Sequence, residues 1–351
     1  NAEFQLPYGF MASVGIMYTR DVYNVVQKNM NEKAPSGTYN EQPGRVYWTK
    51  DNYYDNPTTK TVIQLTNGDE KGYQYSFNAV LTKKFDFGFT GSFGYTYTMA
   101  KDMTANPGSS AASVWQNNVA VNSLNDPGVS YSLFSTPHRL IANASYEIAY
   151  ANMKTTVSLF YTGYQQGRFS YTYYNDINGD GNYSDLMYVP ASKDEMTFVD
   201  IKDKQNNVTY TAEEQQEDFW NYVNSDSYLS ERKGQYVERA SSLEPWIHRF
   251  DMKIAQDFYA KIGKRKYGIQ VSLDMLNIGN LLNSKWGAYR SCGLQSYDNV
   301  RLLKTASKVG EPLTYQMNAS SREAFQKNSK WDYTASTGSA WQMQLGVKFT
   351  F

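Results

Sequence analysis

Hydrophobic and polar residues alternate without a break over the last eleven residues of the chain, WQMQLGVKFTF. Successive side chains of a β-strand point to opposite faces of the sheet, so this pattern predicts a strand over 340–351 with one apolar and one polar face. We expect the apolar face to contact lipid and the polar face to contact water. The apolar positions are Trp341, Met343, Leu345, Val347, Phe349 and Phe351.

The same period of two recurs along the chain. Residues 89–99 alternate as FTGSFGYTYTM, and only the short KKFDFG separates them from an alternating stretch that begins at Tyr73. Two further pairs of alternating stretches are joined by the short links EIAYANMK and YAKIGKRK. The pattern predicts eight strands, near 10–22, 61–83, 88–100, 138–149, 153–164, 246–258, 266–277 and 340–351.

Short and long connections alternate strictly between these strands, with long polar segments near 29–59, 100–135, 166–244 and 278–338. This alternation is typical of outer-membrane barrels, which have short periplasmic turns and long extracellular loops. Each strand has the length of about 9–11 residues needed to cross the hydrocarbon. We therefore expect an all-β fold, an antiparallel transmembrane β-barrel with 1–351 as one domain and 166–244 as a long extracellular loop. The alternative is a soluble all-β protein that buries the apolar face against another sheet.

Composition agrees with this expectation and disfavours other classes. Aromatic residues make up 16% of the chain, and they gather near predicted strand ends, where interfacial girdles belong. Mean hydropathy is −0.63 and no run of about 18 apolar residues occurs, so we expect no transmembrane helix. The 34 basic and 34 acidic residues balance, which argues against a nucleic-acid partner.

Catalytic motifs are missing from the sequence. We find no nucleophile elbow, no phosphate loop and no HExxH, and Cys292 is the only cysteine. We therefore expect no enzymatic activity. A barrel enzyme whose catalytic residues lie on different strands stays open as an alternative.

Several stretches make the chain resemble TonB-dependent outer-membrane receptors, in particular their Oar-like branch of Bacteroidetes. GIQVSLDMLNIGNLLNSKWG, at 268–287, resembles the family's penultimate strand and the Asn-rich turn after it. TPHRL and EPWIHRF resemble the points where strands re-enter the membrane from an outer loop. YTYYNDINGDGNYSDLMYVP, at 171–190, strengthens the likeness. The terminal strand, with Trp341, Phe349 and Phe351, resembles the signal that the barrel assembly machinery reads.

The resemblance implies an energised receptor of the bacterial outer membrane. Such receptors have a 22-stranded barrel around an N-terminal plug, through which TonB, driven by ExbB–ExbD, admits a ligand. On this resemblance the eight predicted strands would be the last third of such a barrel without its plug, and residues 1–6 are expected to end a preceding strand. A self-contained eight-stranded barrel with a structural or adhesive role is the alternative.

The sharpest local motif is NDINGDGNYSD, at 175–185, which resembles the start of a calcium loop. Its candidate ligands are Asp176, Asn178, Asp180, Asn182 and Asp185, because oxygen atoms at alternate positions around a tight glycine turn suit a hard cation such as Ca²⁺. Met187 stands where an EF-hand has its bidentate Glu. The alternative is an Asx-rich turn stabilised by its own side chains.

Other segments have a structural interpretation. TAEEQQEDFWNYV, at 211–223, starts with a capping box and predicts a helix within the longest loop, either as a ligand-contacting lid or with aromatics that hold the loop in place. His138 and His248, the only histidines, occupy equivalent places on different strands, and we expect structural roles at the outer rim. Arg139 and Arg249 fall on the opposite face.

Overall fold

A computed structural model describes residues 1–49, 53–54, 61–106, 108–296, 298–318, 322 and 330–351. Its main feature is an antiparallel sheet in which each long strand pairs with the next along the chain. The all-β class is thereby confirmed. Among the described residues its nine long strands are β1 Ala2–Leu6, β2 Phe10–Arg20, β3 Tyr73–Lys84, β4 Phe89–Asp102, β5 His138–Tyr150, β6 Met153–Gln165, β7 Trp246–Ile262, β8 Arg265–Leu276 and β9 Gln342–Thr350. The short strand Ser130–Tyr131 also pairs with β4 and is the tenth strand of the sheet.

Four connections in this sheet are tight, and all four lie at the same end of it. The 3₁₀ turn Pro7–Gly9 joins β1 to β2, whereas 85–88, 151–152 and 263–264 join the later hairpins. Gly88 has φ +92°, and a Cβ there would lie 2.3 Å from the carbonyl oxygen of Glu147, so this turn requires glycine. The other connections are long: 21–72, 103–137, 166–245 and 277–341.

The strand boundaries depart from the sequence pattern at one important place. The predicted strand 61–83 is two strands, because GDEKG at 68–72 turns the chain between them. The first of the two, Ile63–Asn67, pairs with Val25–Asn29 outside the main sheet. The predicted end of a preceding strand at 1–6 is β1, so the sheet has one long strand more than the eight predicted.

Strand register arranges the side chains into rows of like character across the sheet. Leu345 of β9 lies opposite Leu273, and the row continues through Ile254, Val157, Tyr146 and Phe89. Gln344 begins the neighbouring row on the other face, which continues through Asp274, Lys253, Ser158, Ser145 and Thr90. The predicted division of 341–351 into an apolar and a polar face is therefore confirmed.

The apolar face of the sheet is exposed. Leu345 keeps 73% of its surface accessible, Val347 keeps 71% and Ile16 keeps 79%. The sheet ends at β1 on one side and β9 on the other, and within the described ranges no pairing joins these two edges. A closed barrel is therefore not seen, and its size is not defined.

The described residues of the four long connections fold together into a cap, which we define as the described residues within 21–72, 103–137, 166–245 and 277–341. It contains α1 Ala111–Asn117, α2 Ala212–Ser225 and α3 Ile278–Leu282, with 3₁₀ turns at Lys193–Glu195 and Leu229–Glu231. Its other short strands are Gly37–Thr38, Val46–Tyr47, Ser130–Tyr131, Arg168–Thr172, Tyr188–Val189, Ile201–Lys202, Val208–Tyr210, Gln235–Tyr236, Ser242–Leu243, Arg290–Ser291, Gln295–Ser296, Asn299–Arg301, Leu303–Thr305, Tyr315–Met317 and Asp332–Tyr333.

The main buried core of the protein lies in this cap and not in the sheet. All four long connections contribute buried side chains to one cluster, for example Tyr39, Val119, Val189 and Leu302. The predicted helix at 211–223 is α2, and its Thr211 cap and Glu214 form the expected capping box. Phe219 and Val223 of this helix are buried in the cluster, so they hold the long loop in place.

Helices do not provide a membrane span: none in the described part of the chain is both long enough and apolar enough.

Candidate functional site

Arg45 joins three of the four long connections at the centre of the cap. Its guanidinium is fully buried, donates 2.9 Å to the carbonyl oxygen of Val121 and also donates to the carbonyl oxygen of Leu186. Its Nε donates 2.6 Å to Gln42 Oε1. The guanidinium also lies 5.0 Å from the ring centre of Tyr236. Every face of this cation is therefore occupied by the protein itself, which marks it as a structural centre.

Asp185, one of the candidate calcium ligands, is the anion that pairs with this cation. Arg45 Nη1 lies 3.2 Å from Asp185 Oδ1, and only 2% of Asp185 is exposed. Burial, together with the negative charge of Asp180, raises the pKa of Asp185 well above its ordinary range, and Arg45 opposes that rise. The other carboxylate oxygen accepts the Ile177 N–H at 3.2 Å.

The remaining candidate ligands bond to their own loop. Asp176 accepts the N–H groups of Gly179 and Gly181, the second at 2.8 Å. Asn178 Oδ1 accepts the Asp180 N–H at 2.9 Å, and Asp180 Oδ1 accepts the Asn182 N–H at 2.8 Å. The bonds from Gly179, Asp180 and Asn182 are the local bonds of Asx turns, in which a short polar side chain accepts a backbone N–H two or three residues ahead, whereas the bond from Gly181 spans five residues. The arrangement agrees with the alternative interpretation, a turn stabilised by its own side chains.

The calcium site at 175–185 stays a prediction, because this loop concentrates negative charge that a cation would neutralise. Burial, followed by the charge of Asp176, raises the pKa of Asp180 to about 7. A buried carboxylate is tolerated when it is protonated or paired with a cation, and either would relieve this repulsion. Among the described residues, however, no group of three or more His, Cys, Asp or Glu side chains is placed to hold a metal ion. The amide nitrogens of Asn178 and Asn182 are buried without an acceptor there, and such donors do not suit a cation.

The cap also contains a cleft of about 620 Å³. A volume of this size lies within the usual range of small-ligand sites. Acidic and basic side chains both line the cleft, among them Glu70, Arg232 and Glu238 of the connections and Lys101 of β4. The sequence did not point to it, because its walls come from three separate connections and contain no linear motif.

A belt of aromatic rings runs along the exposed face of the sheet beside the cap. Rings of Tyr97 and His138 are 5.2 Å apart, those of His138 and Trp246 6.1 Å, and those of Trp246 and His248 5.8 Å. Tyr161 continues the belt, 6.1 Å from His248. We call this series the outer belt.

The two histidines are placed as equivalents, in agreement with their sequence context. Tyr95 Oη lies 2.8 Å from His138 Nδ1, and Tyr161 Oη lies 2.8 Å from His248 Nδ1. Each histidine is thus fixed by a tyrosine of the adjacent strand at the rim of the sheet. Arg249 projects to the other face, where its Nε lies 3.0 Å from Asp251 Oδ1. The register puts Arg139 on that face too.

A second aromatic belt lies at the tight-turn end of the same face. Phe87 and Tyr146 rings are 6.4 Å apart, and those of Phe349 and Phe351 are 5.9 Å apart. Tyr267 lies 6.4 Å from Phe349. Of the predicted assembly signal, Phe349 and Phe351 therefore belong to this second belt, whereas Trp341 precedes β9 at the cap end. All three side chains are exposed. Their role as an assembly signal stays a prediction.

Comparisons with known proteins found no match: no protein-family model, no curated protein and no solved structure matches the chain.

Proposed function

We propose that the chain is the barrel portion of an outer-membrane receptor of the TonB-dependent type, with the sheet as part of the barrel wall and the cap as its extracellular, ligand-contacting side. The observation that carries this proposal is the exposed apolar face between two aromatic belts. Outer-membrane strands have this arrangement: an outward apolar band bordered at both interfaces by aromatic girdles.

The distance between the belts suits a membrane. His248 belongs to the outer belt, and Phe258, ten residues further along β7, pairs with Met153 beside the tight turn 151–152. At roughly 3.3 Å per residue the strand covers about 33 Å, and a tilt of about 40° reduces this to roughly 25 Å, the height of the apolar band of outer-membrane barrels. The aliphatic rows of β5 to β9 fill the interval.

A soluble sandwich fits these observations less well. A soluble sheet buries its apolar face against a second layer, and the core then lies on that face. In this protein the core lies in the cap instead, while Leu345, Val347 and Ile16 are exposed. Lipid is therefore the partner we propose for the apolar face.

Two observations extend the proposal from a membrane barrel to a receptor: the folded cap and the resemblance to TonB-dependent receptors. The cap is a folded layer with its own core and a 620 Å³ cleft, which suits a surface that contacts a ligand. Energy coupling would act through a plug, TonB and ExbB–ExbD. The opposite face of the sheet carries small or polar residues such as Ser145, Ser158 and Gly346, which suit a wide aqueous lumen better than the packed interior of a small barrel.

The test uses two adjacent cysteine positions. In a chain with Cys292→Ser, we would introduce Gln344→Cys or Leu345→Cys and expose intact membranes to a charged, membrane-impermeant maleimide. We expect Gln344→Cys to react in intact membranes and Leu345→Cys to react only after detergent solubilisation. Equal reaction at both positions, with the protein in the aqueous fraction, would overturn the membrane assignment.

A further inference from the structure

A cavity of about 410 Å³ opens on the apolar face of the sheet beside the outer belt. Trp246, His248 and Phe250 of β7 form its sheet side. The segment after β8 forms the opposite side with Lys285, Trp286 and Arg290, and Tyr333 completes it. The cavity thus lies at the border between the apolar band and the cap.

The segment that forms its far wall is held rigidly. Asn277 adopts a left-handed conformation with φ 51°, and its backbone N–H donates 2.6 Å to Asp251 Oδ1. Its side-chain amide donates 3.1 Å to the Gly287 carbonyl oxygen and 2.8 Å to the Ser339 carbonyl oxygen. A Cβ at Gly287 would lie 2.0 Å from Asn277 Oδ1, so only glycine fits there. The cavity wall is therefore built into the fold.

Apolar side chains of the same segment project outward beside the cavity. Leu282 is 77% exposed and Trp286 is 55% exposed, and Leu281 is exposed as well. Leucine and tryptophan exposed next to an aromatic belt are typical of a segment that lies at the level of lipid headgroups.

Two cations face this cavity without a carboxylate partner. Lys285 Nζ lies 5.7 Å from the ring centre of Tyr333, and the Arg290 guanidinium lies 5.8 Å from it. Within the ranges that the structure describes, neither Lys285 nor Arg290 forms an ion pair. The wall therefore offers two positive charges and their N–H donors to an incoming anion.

A second cavity, of about 510 Å³, continues from the first toward the middle of the band, and the two share His248 and Phe250. It is a groove with an apolar lining from Ala142, Ala144 and Leu159. The two alanines leave room between larger neighbours, so the groove has the shape and polarity for a hydrocarbon chain.

We propose that these two cavities bind one anionic, phosphate-bearing lipid of the outer leaflet. Lys285 and Arg290 neutralise the phosphate, and the groove at Ala142 and Ala144 receives an acyl chain. This inference rests on the proposed function, since it requires the apolar face to lie in a membrane. The apolar groove favours a lipid over a soluble phosphate compound, because a soluble anion has no hydrocarbon chain to place in it.

The test measures which lipid stays bound. The full chain would be folded in detergent micelles, supplied with phosphatidylglycerol or phosphatidylcholine, and its complexes counted by native mass spectrometry. We expect one phosphatidylglycerol to be retained about tenfold or more over phosphatidylcholine, since each basic side chain near a membrane surface favours anionic lipid. Equal retention of the two lipids would overturn the proposal.

Matched variants test the two cationic side chains and the apolar groove separately. Lys285→Gln with Arg290→Gln is expected to abolish the preference, whereas Lys202→Gln with Lys204→Gln, which removes two exposed charges elsewhere, is expected to keep it. Ala142→Phe should reduce retention of both lipids, and Ala79→Phe, on the same face of β3, should not. Loss of preference in the Lys202 and Lys204 variant would refute a specific site.

Two further measurements separate the possible causes of failure. Glycerol 3-phosphate is added alone: binding as tight as that of the lipid would refute the lipid half of the proposal. The maleimide contrast between positions 344 and 345 is measured on the same preparation in membranes. If that contrast is present but no lipid is preferred, the lipid site is wrong and the membrane assignment stands; if the contrast is absent, both fall.

Discussion

Arg45 and Asp185 form a buried ion pair between two long connections, with Nη1 and Oδ1 3.2 Å apart although the residues are separated by 140 positions in sequence. The pair lies inside the cap, and Arg45 also bonds to backbone carbonyl oxygens of two connections. Connections that are bonded to the same buried guanidinium cannot move independently of one another. The cap is therefore expected to respond as a unit when this pair is broken.

Replacement of Arg45 by glutamine tests this cooperation. The variant leaves Asp185 buried without its cation, and removal of one partner of a buried pair typically costs about 3–5 kcal/mol. Arg322→Gln is the control, because 38% of its side chain and 52% of that of its partner Glu214 are exposed, so this 3.7 Å pair should contribute no more than about 1 kcal/mol. Urea unfolding monitored by limited proteolysis of the cap measures both. Similar losses in the two variants would show that the pair does not organise the cap.

Asp176 tests the alternatives for the 175–185 loop. Asp176→Ala removes the acceptor of two backbone N–H groups, and a hydrogen bond of this kind contributes about 0.5–1.5 kcal/mol. We expect the thermal stability of the cap to fall by the same amount in millimolar Ca²⁺ and in a calcium chelator. Asp194→Ala, at an exposed position in the same connection, should have little effect. A loss that occurs only in calcium would instead establish the calcium site that the sequence suggests.

Asp226 gives the cap a defined response to acid. Burial by itself would raise its pKa, but Lys330, whose Nζ lies 2.7 Å from Asp226 Oδ2, and the Tyr171 hydroxyl hold the pKa below its ordinary value. A carboxyl whose pKa is lowered by folding contributes stability above its unfolded pKa of about 3.9, and that stability is lost as the pH falls through the folded pKa.

The corresponding prediction compares Asp226→Asn with the parent protein at two pH values. The variant should reduce the free energy of unfolding clearly at pH 6 and less at pH 2, because the parent protein loses the contribution of this charge as the pH falls through the folded pKa of Asp226. Chemical denaturation of both proteins at each pH measures this difference. An equal effect at the two pH values would mean that the charge of Asp226 does not stabilise the cap.

The sequence predicts the features of this structure that depend on neighbouring residues, and it does not predict those that depend on residues distant in sequence. The period of two in 341–351 and its upstream copies specifies strands and faces, because alternation is a local property, and the tight turns then bring neighbouring strands into register. The fold of the cap is not local. Arg45 stands in a polar stretch with no periodicity, and nothing near it in sequence indicates its contacts with Val121, Asp185 or Leu186.

The error at 61–83 and the missed cleft have the same cause. Ile63–Asn67 continues the apolar pattern of β3, but GDEKG at 68–72 diverts it to Val25–Asn29, a partner about 40 residues away in sequence. A pattern states that a segment is a strand without naming its partner. The cleft requires three connections to meet, so only the assembled cap defines it.

The final prediction concerns the two faces of β9. Leu345 lies on the exposed apolar row, opposite Leu273, and Gln344 lies on the polar row, opposite Asp274. If the apolar face meets lipid, Leu345→Arg places a charge near the middle of the membrane at a cost of roughly 2–4 kcal/mol. Gln344→Arg places the same charge in the lumen, beside the carboxylate of Asp274, and should be tolerated.

An outer-membrane insertion assay measures the outcome, as the fraction of each protein that becomes resistant to extraction and shifts in mobility when heated in detergent. We expect Leu345→Arg to lower that fraction and Gln344→Arg to match the parent protein. Because the two variants carry the same charge one residue apart, a general effect of arginine on synthesis or solubility would act on both alike. Equal insertion of both variants would therefore contradict the assignment of this face to lipid.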